Sequence, residues 1–245
     1  MLLSILYLIL AILPVLIYIG IIWATLPVGS ITIRNSYLHF ISGLVSVGLV
    51  LTYLRIFPNA HENISFNINV SLFVLAFLQI AVIEEITKFV SFKMGEMLRG
   101  DENIIYDIPV STMFYSGISA LGFSFIENVT YAIQYGGEIL IPRSFISMLL
   151  HFLCGLIMGY WVALSRIPTK VKNKSPFELV IMNRPIIKKV TYLLLGIFSA
   201  VFVHGLFDYN LMTKGHITSN YLIILSGVIA SYLAAKDLNE KTKFN

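Results

Sequence analysis

Seven long apolar stretches constrain the fold of this chain more than any other feature of the sequence. Crossing the hydrocarbon core of a bilayer as an α-helix takes about 20 predominantly apolar residues. The stretches are unbroken, whereas the strands of a membrane barrel alternate between apolar and polar residues. They therefore predict an all-α, polytopic membrane protein with about seven transmembrane helices. The predicted spans are residues 2–26, 37–57, 68–94, 109–135, 142–166, 190–212 and 221–235.

The composition excludes a water-soluble globular protein. Only 12% of the residues are charged and 57% are hydrophobic, whereas soluble domains carry about 25% charged residues. The first stretch lacks a basic start and a clear cleavage site and is too long for a signal peptide, so it is interpreted as a span. We expect one integral membrane domain over residues 1–245. Because Cys154 is the single cysteine, no internal disulfide can form.

The distribution of basic residues predicts how the chain crosses the membrane. Of the 17 Lys and Arg residues, 13 fall in loops on one side of the predicted spans and three on the other. The positive-inside rule then puts the N-terminus outside and the C-terminus inside a cell membrane that the chain crosses several times. The basic segment between the fifth and sixth spans is typical of a topology anchor beside anionic lipid. No nucleic-acid partner is expected.

The stretch AVIEEITKF places three charged residues within the third span. Charges at the bilayer centre are costly, and they usually face the bundle interior. Glu84 lies four residues before Lys88 and Glu85 lies three before it, so each can contact that lysine. Adjacent residues point about 100° apart around a helix. We therefore expect one glutamate to enter a site and the other to pair with Lys88, but the spacing leaves open which does which. A purely structural ion-pair cluster is the alternative.

Further polar residues lie in three other spans. Two carboxylates and two imidazoles in one membrane cavity suit hydrolysis, with a glutamate as general base and a histidine or amide as hydrogen-bond donor to the oxyanion. Glutamate and histidine side chains can equally hold a zinc ion that activates water. The residues concerned are Glu127 and Asn128 in FSFIENVTY, with Phe123 four residues before Glu127, His151 in LLHFLCG, and His204 and Asp208 in VFVHGLFDYN.

Other hydrolytic chemistries lack their usual motifs. The helical zinc motif H-E-x-x-H does not occur in the sequence. The nearest stretch to a serine-protease motif, GISA at 117–120, lacks the second glycine of Gly-x-Ser-Gly. Cys154 and His151 are three residues apart on one helix, which does not favour a thiol nucleophile.

Three of these motifs, in this order, resemble those of a known family. EEITK at 84–88 resembles E-E-x-x-K, FSFIEN at 123–128 resembles F-x-x-x-E-N, and HGLFD at 204–208 resembles H-x-x-x-D, with a lone histidine on the helix between the last two. This pattern is similar to the PrsW family of intramembrane proteases, in a superfamily with CAAX-processing and abortive-infection-type membrane endopeptidases. The resemblance covers roughly half of the chain.

The resemblance implies a membrane endopeptidase whose substrates are membrane proteins. In PrsW-type members the proposed substrate is a single-span anti-sigma factor that is cut on its outer side, a site-1-type cleavage. The CAAX relatives carry a histidine in the second motif where this chain has Glu127, so a metal site and a pair of carboxylates that share a proton both stay open.

The implied roles follow the motifs. Glu84 or Glu85 acts as general base, and Lys88 holds the other glutamate ionised. Glu127 and His151 share the water or the metal, and Asp208 orients His204, which ligates the metal or stabilises the oxyanion. Phe123 flanks the site, and Asn128 donates a hydrogen bond to the substrate backbone. The candidate zinc ligands are Glu84, Glu127, His151 and His204.

Two other functions fit the same polar residues. A proton-coupled transporter or channel would use them as a proton relay, although no inverted repeat with broken helices in matching halves is visible. An inactive immunity or scaffold member of the same superfamily is the other alternative.

Overall fold

The computed structural model describes residues 2–26, 31–57, 67–100, 109–167 and 185–243, and these are almost entirely helical. Each predicted span is helical, with residues 142–166 divided between two helices, so the predicted all-α class is confirmed. The basic segment that was predicted to anchor the topology lies largely outside the described residues. The elements are α1 (Leu2–Thr25), α2 (Ile33–Ile56), α3 (Ile68–Val74), a π-helical segment (Leu75–Ala81), α4 (Val82–Arg99), α5 (Pro109–Tyr135), a 3-10 turn (Gly137–Ile139), α6 (Leu140–Phe145), α7 (Ser147–Arg166), α8 (Pro185–Met212) and α9 (Ile217–Lys243).

Within the described residues, six helical stretches are both long enough and apolar enough to cross a membrane. The remaining predicted span, α5, has 27 residues but carries many Ser and Gly residues. Most of its side chains are buried, because α1, α2, α4 and α7 pack around it. A helix that contacts protein instead of lipid can carry hydroxyl groups, and small residues let its neighbours approach closely. The orientation of the termini and the single domain over residues 1–245 stay predictions.

Helix α3, the π-helical segment and α4 run on as one helix, Ile68–Arg99. Asn67 caps its start by accepting a hydrogen bond from the backbone N–H of Asn69 at 3.0 Å. Where the π-helical segment ends, the N–H of Val82 bonds to the carbonyl of Phe77, five residues back. Such wider turns rotate the following residues around the helix axis and are frequent at functional sites. The segment ends three residues before Glu84, so it sets the direction in which the charged motif points.

At the end of the bundle where α4 and α7 finish, polar contacts join three helices. Glu96 of α4 pairs with Arg166 of α7, which also donates to the hydroxyl of Thr112 of α5 at 3.0 Å. His39 of α2, a buried histidine that the motif analysis did not consider, stacks on Tyr115 with ring centroids 4.9 Å apart. These contacts tie the helices together at this end.

Two glycines bring α2 and α5 into close contact. A Cβ added at Gly43 would collide with the backbone carbonyl of Ser119, and one added at Gly122 would collide with that of Phe40. Glycine at both positions therefore lets the two backbones meet.

We expect the substitution Gly43→Ala to destabilise the protein by about 1–3 kcal/mol, because the methyl group overpacks this crossing. Gly48 on the same helix has nothing within 4 Å of an added Cβ, so Gly48→Ala is the matched control. Thermal unfolding in detergent measures both variants. Equal melting temperatures for the two would contradict the close crossing.

Candidate active site

A buried ammonium group lies at the centre of the polar residues. Lys88 Nζ is 2.8 Å from Glu85 Oε1, 3.4 Å from Glu84 Oε2 and 2.8 Å from Nδ1 of His151. It also lies 4.3 Å from the centre of the Phe123 ring. An ammonium group has three donors and no acceptor. Lys88 can therefore donate one hydrogen bond to each of these three side chains. With the Phe123 contact, it links α4, α5 and α7.

The two adjacent glutamates have different surroundings. Glu85 is 0% exposed, and its Oε1 contacts both Lys88 and, at 2.8 Å, Nδ1 of His204. Glu84 has a side chain that is 13% exposed, and it lines a cavity. Glu85 thus lies inside the bundle and Glu84 lies at the cavity, although both contact Lys88.

His204 on α8 lies between carboxylates. Its Nδ1 faces Glu85, and its Nε2 is 3.3 Å from Asp208 Oδ2 and 3.9 Å from Glu84 Oε2. The contact with Asp208 is the i,i+4 pair that the spacing predicts. Glu85 therefore orients the imidazole through one nitrogen and leaves the other directed toward the cavity residues.

His151 on α7 connects Lys88 to Glu127. Because Lys88 can only donate, Nδ1 of His151 is the acceptor, and a neutral ring then carries its proton on Nε2. This Nε2 lies 2.8 Å from Glu127 Oε2 and donates to it. The second motif and the lone histidine thus meet directly, although they lie on different helices.

Arg143 on the short helix α6 belongs to the same cluster. Its Nε donates to Asn128 Oδ1 at 2.9 Å, its Nη2 forms an ion pair with Glu127 Oε2 at 2.9 Å, and its guanidinium carbon lies 3.7 Å from the centre of the Tyr131 ring. Asn128, a predicted substrate contact, is fully buried, and its Oδ1 is occupied by Arg143.

The sequence interpretation missed Arg143 because it treated this residue as a loop charge. Its position within the predicted span 142–166 could have identified it as a charge inside the bundle. Tyr131 and Ser147 were missed as well, and both line the cavity.

The charged residues meet at one cavity of about 860 Å³. It lies where α2, α5 and α8 end and α3 and α7 begin, which is the end of the bundle at which α1 starts. Apolar residues from α2, the π-helical segment and the end of α8 complete its wall. The ionisable residues that line it are Glu84, Glu127, Arg143, His151, His204 and Asp208.

Three of these side chains could hold a metal ion. One ligand atom from each of Glu84, His151 and His204 lies within 4.8 Å of the other two. Two histidines and one glutamate are a ligand set of catalytic zinc sites. The carboxylate of Glu85 on Nδ1 of His204 is the usual partner that orients a ligating histidine. Metal binding releases protons from its ligands, so Nε2 of His151 would lose its proton to solvent and Glu127 would stay ionised beside it. On this condition the residues fit a divalent metal.

Fold and site together define a multi-pass membrane protein with a carboxylate–histidine centre of the kind that hydrolytic enzymes use. A family model described as "PrsW family intramembrane metalloprotease" matches residues 32–234. The chain therefore belongs to the PrsW family, and it is a multi-pass membrane protease. This confirms the prediction from the three motifs and supports a protease over a transporter.

Curated relatives agree with this assignment. The chain is 30% identical to Protease PrsW of Oceanobacillus iheyensis over 179 residues, covering 71% of this chain and 72% of the relative. It is 29% identical to Protease PrsW of Shouchella clausii over 174 residues, covering 69% and 68% respectively. It is also 29% identical to Protease PrsW of Geobacillus kaustophilus over 140 residues, 57% of this chain and 52% of the relative. No solved structure matches the chain.

The different positions of the two glutamates predict different consequences for the variants Glu84→Gln and Glu85→Gln. Breaking a buried ion pair costs about 3–5 kcal/mol, so E85Q should lose both cleavage activity and thermal stability. E84Q should lose cleavage but keep a melting temperature close to that of the parent, because Lys88 retains Glu85. Thermal unfolding and cleavage of a reconstituted membrane-protein substrate measure the two effects. The same loss of stability in both variants would contradict this division.

Proposed function

We propose that the chain is a zinc-dependent endopeptidase that cuts membrane-spanning proteins at the cavity. The observation that carries the proposal is the meeting of Glu84, His151 and His204, from three helices, at the wall of one cavity. These three residues would hold the ion. A zinc ion there would supply Lewis acidity toward the attacking water and the scissile carbonyl.

In this proposal the chain's own residues move the protons. Glu127 has one carboxylate oxygen, Oε2, bound by His151 and Arg143, and the described residues give Oε1 no hydrogen bond. We assign to Glu127 the role of general base, which takes a proton from the attacking water and returns it to the leaving amine. Glu85 with Lys88 holds both histidines from behind, and Asp208 lies at the cavity wall beside Nε2 of His204, the nitrogen that would bind the ion.

The arrangement of the helices around the cavity supports a membrane-spanning substrate. Helix α3 and the π-helical segment pack mainly against α8, whereas α2 packs against α4 and α5. Leu54 of α2 and Leu75 of the π-helical segment both line the cavity. We therefore propose that the apolar cleft between α2 and α3 admits an unwound segment of the substrate from the bilayer.

The position of the cavity suggests where the substrate is cut. It lies toward the end of the bundle at which α1 starts, and the distribution of basic residues predicts that this end is outside. A single-span anti-sigma factor cut on its outer side, as the resemblance to PrsW-type members implies, would place its scissile bond there.

Removal of the metal tests the first part of this proposal. Purified protein should contain about one zinc ion per chain, and chelation should abolish cleavage of a reconstituted single-span substrate. Added zinc should restore the activity, but not in His204→Ala. Full cleavage by protein shown to be free of metal would instead favour catalysis by Glu84 as a base without a metal.

Cross-linking tests the entry route. A protein with Leu54→Cys and Leu75→Cys, treated with a bis-maleimide, should stop cleaving a membrane-spanning substrate but keep cleaving a short soluble peptide. Native Cys154 is buried, and each single-cysteine variant treated in the same way is the matched control. Unchanged cleavage of the spanning substrate after complete cross-linking would exclude entry through this cleft.

A further inference from the structure

Arg143 lies outside the three motifs but contacts the second one at two positions. Its guanidinium group reaches Glu127 and Asn128, both at 2.9 Å. These residues are adjacent on α5, whereas Arg143 lies on α6, a separate short helix that ends before α7 begins. The position of Glu127 therefore depends on α5, which carries it, and on α6, which carries Arg143.

The guanidinium group of Arg143 is contacted on the face of its plane as well as along its edge. Tyr131, one helical turn after Glu127, lies against it at 3.7 Å. Arginine can form planar, forked contacts and stack on an aromatic ring at the same time, which lysine cannot do. This geometry restricts rotation of the arginine and defines the direction from which it meets Glu127.

The contacts distinguish between the two oxygens of Glu127. Both Arg143 Nη2 and His151 Nε2 lie within 2.9 Å of Oε2. In the proposed zinc site His151 Nε2 would bind the ion and no longer donate to Oε2. The ion pair with Arg143 would then be the contact that holds Oε2, and the described residues give Oε1 no hydrogen bond.

We propose that Arg143 is a positioning residue for the protease reaction and that it acts through Glu127. It holds Oε2 through the ion pair, so that Oε1 stays available to the attacking water. Asn128 and Tyr131 serve this arrangement by orienting the guanidinium group. The inference rests on the proposed role of Glu127 as general base.

Two other roles make different predictions. An arginine that binds the substrate directly would affect KM and would act independently of Glu127. An arginine that only stabilises the fold would lower the melting temperature and reduce the amount of folded enzyme without changing kcat per folded molecule.

The test compares Arg143→Gln, Glu127→Gln and the double variant, with cleavage of a reconstituted single-span substrate as the assay. Loss of an outer-shell partner typically costs about 10–100-fold in activity. We expect R143Q to lower kcat by about this factor with KM little changed, and R143K to recover only part of the loss.

In the E127Q background the further change to R143Q should have almost no effect, because residues that act as a unit are not additive. Arg55→Ala removes an exposed arginine near the same end of the bundle and should behave like the parent.

The outcomes separate this inference from the proposed function. If E127Q cleaves like the parent, the role of Glu127 in the proposed function is wrong, and the inference falls with it. If E127Q is impaired but R143Q is not, or if the two losses multiply in the double variant, only the inference about Arg143 is overturned. Should R143Q fail to fold, the same double-variant comparison is made with R143K, which keeps the charge and loses the contact with Asn128.

Discussion

The buried ammonium group of Lys88 is the interaction on which the rest of the site depends. An isolated charge inside a bundle costs several kcal/mol, and this cost is met only when its partners are well placed. Lys88 has such partners in Glu84, Glu85 and His151, together with the face of Phe123. Glu85 in turn contacts His204, and His151 contacts Glu127. These contacts link α4, α5, α7 and α8 around the cavity.

The motif E-E-x-x-K uses a simple property of the α-helix. Two adjacent glutamates cannot point in one direction, yet both lie within reach of a lysine one turn later. One carboxylate can then stay inside the bundle, where Glu85 binds Lys88 and His204, while Glu84 lies at the cavity. The π-helical turns immediately before this motif change its rotation around the helix axis relative to a continuous α-helix. The pair is therefore one fully buried group and one group that lines the cavity, instead of two equivalent acids.

The packing of the bundle differs between its two ends. At one end the pair Glu96–Arg166 and the contact with Thr112 join α4, α5 and α7. Toward the other end α2 and α3 pack against different neighbours, and the cavity lies between them. A membrane protease needs both properties, because its catalytic groups must keep their positions while a segment of substrate enters from the bilayer. The polar central helix α5 fits this architecture, since α1, α2, α4 and α7 pack around it and its serine hydroxyl groups are buried.

The sequence by itself determined the membrane class, the helices, the family and the contacts within single helices, such as Glu84–Lys88 and His204–Asp208. These follow from apolar length and from the 3.6-residue period, which local backbone geometry imposes. Only the tertiary structure decided that Glu85 is the interior glutamate, that His151 contacts both Lys88 and Glu127, and that Arg143 belongs to the site. Those contacts join different helices, and they depend on the rotation and crossing of each helix. Rotation and crossing arise from packing of the whole bundle, including close approaches at residues such as Gly43, and no local pattern in the sequence specifies them.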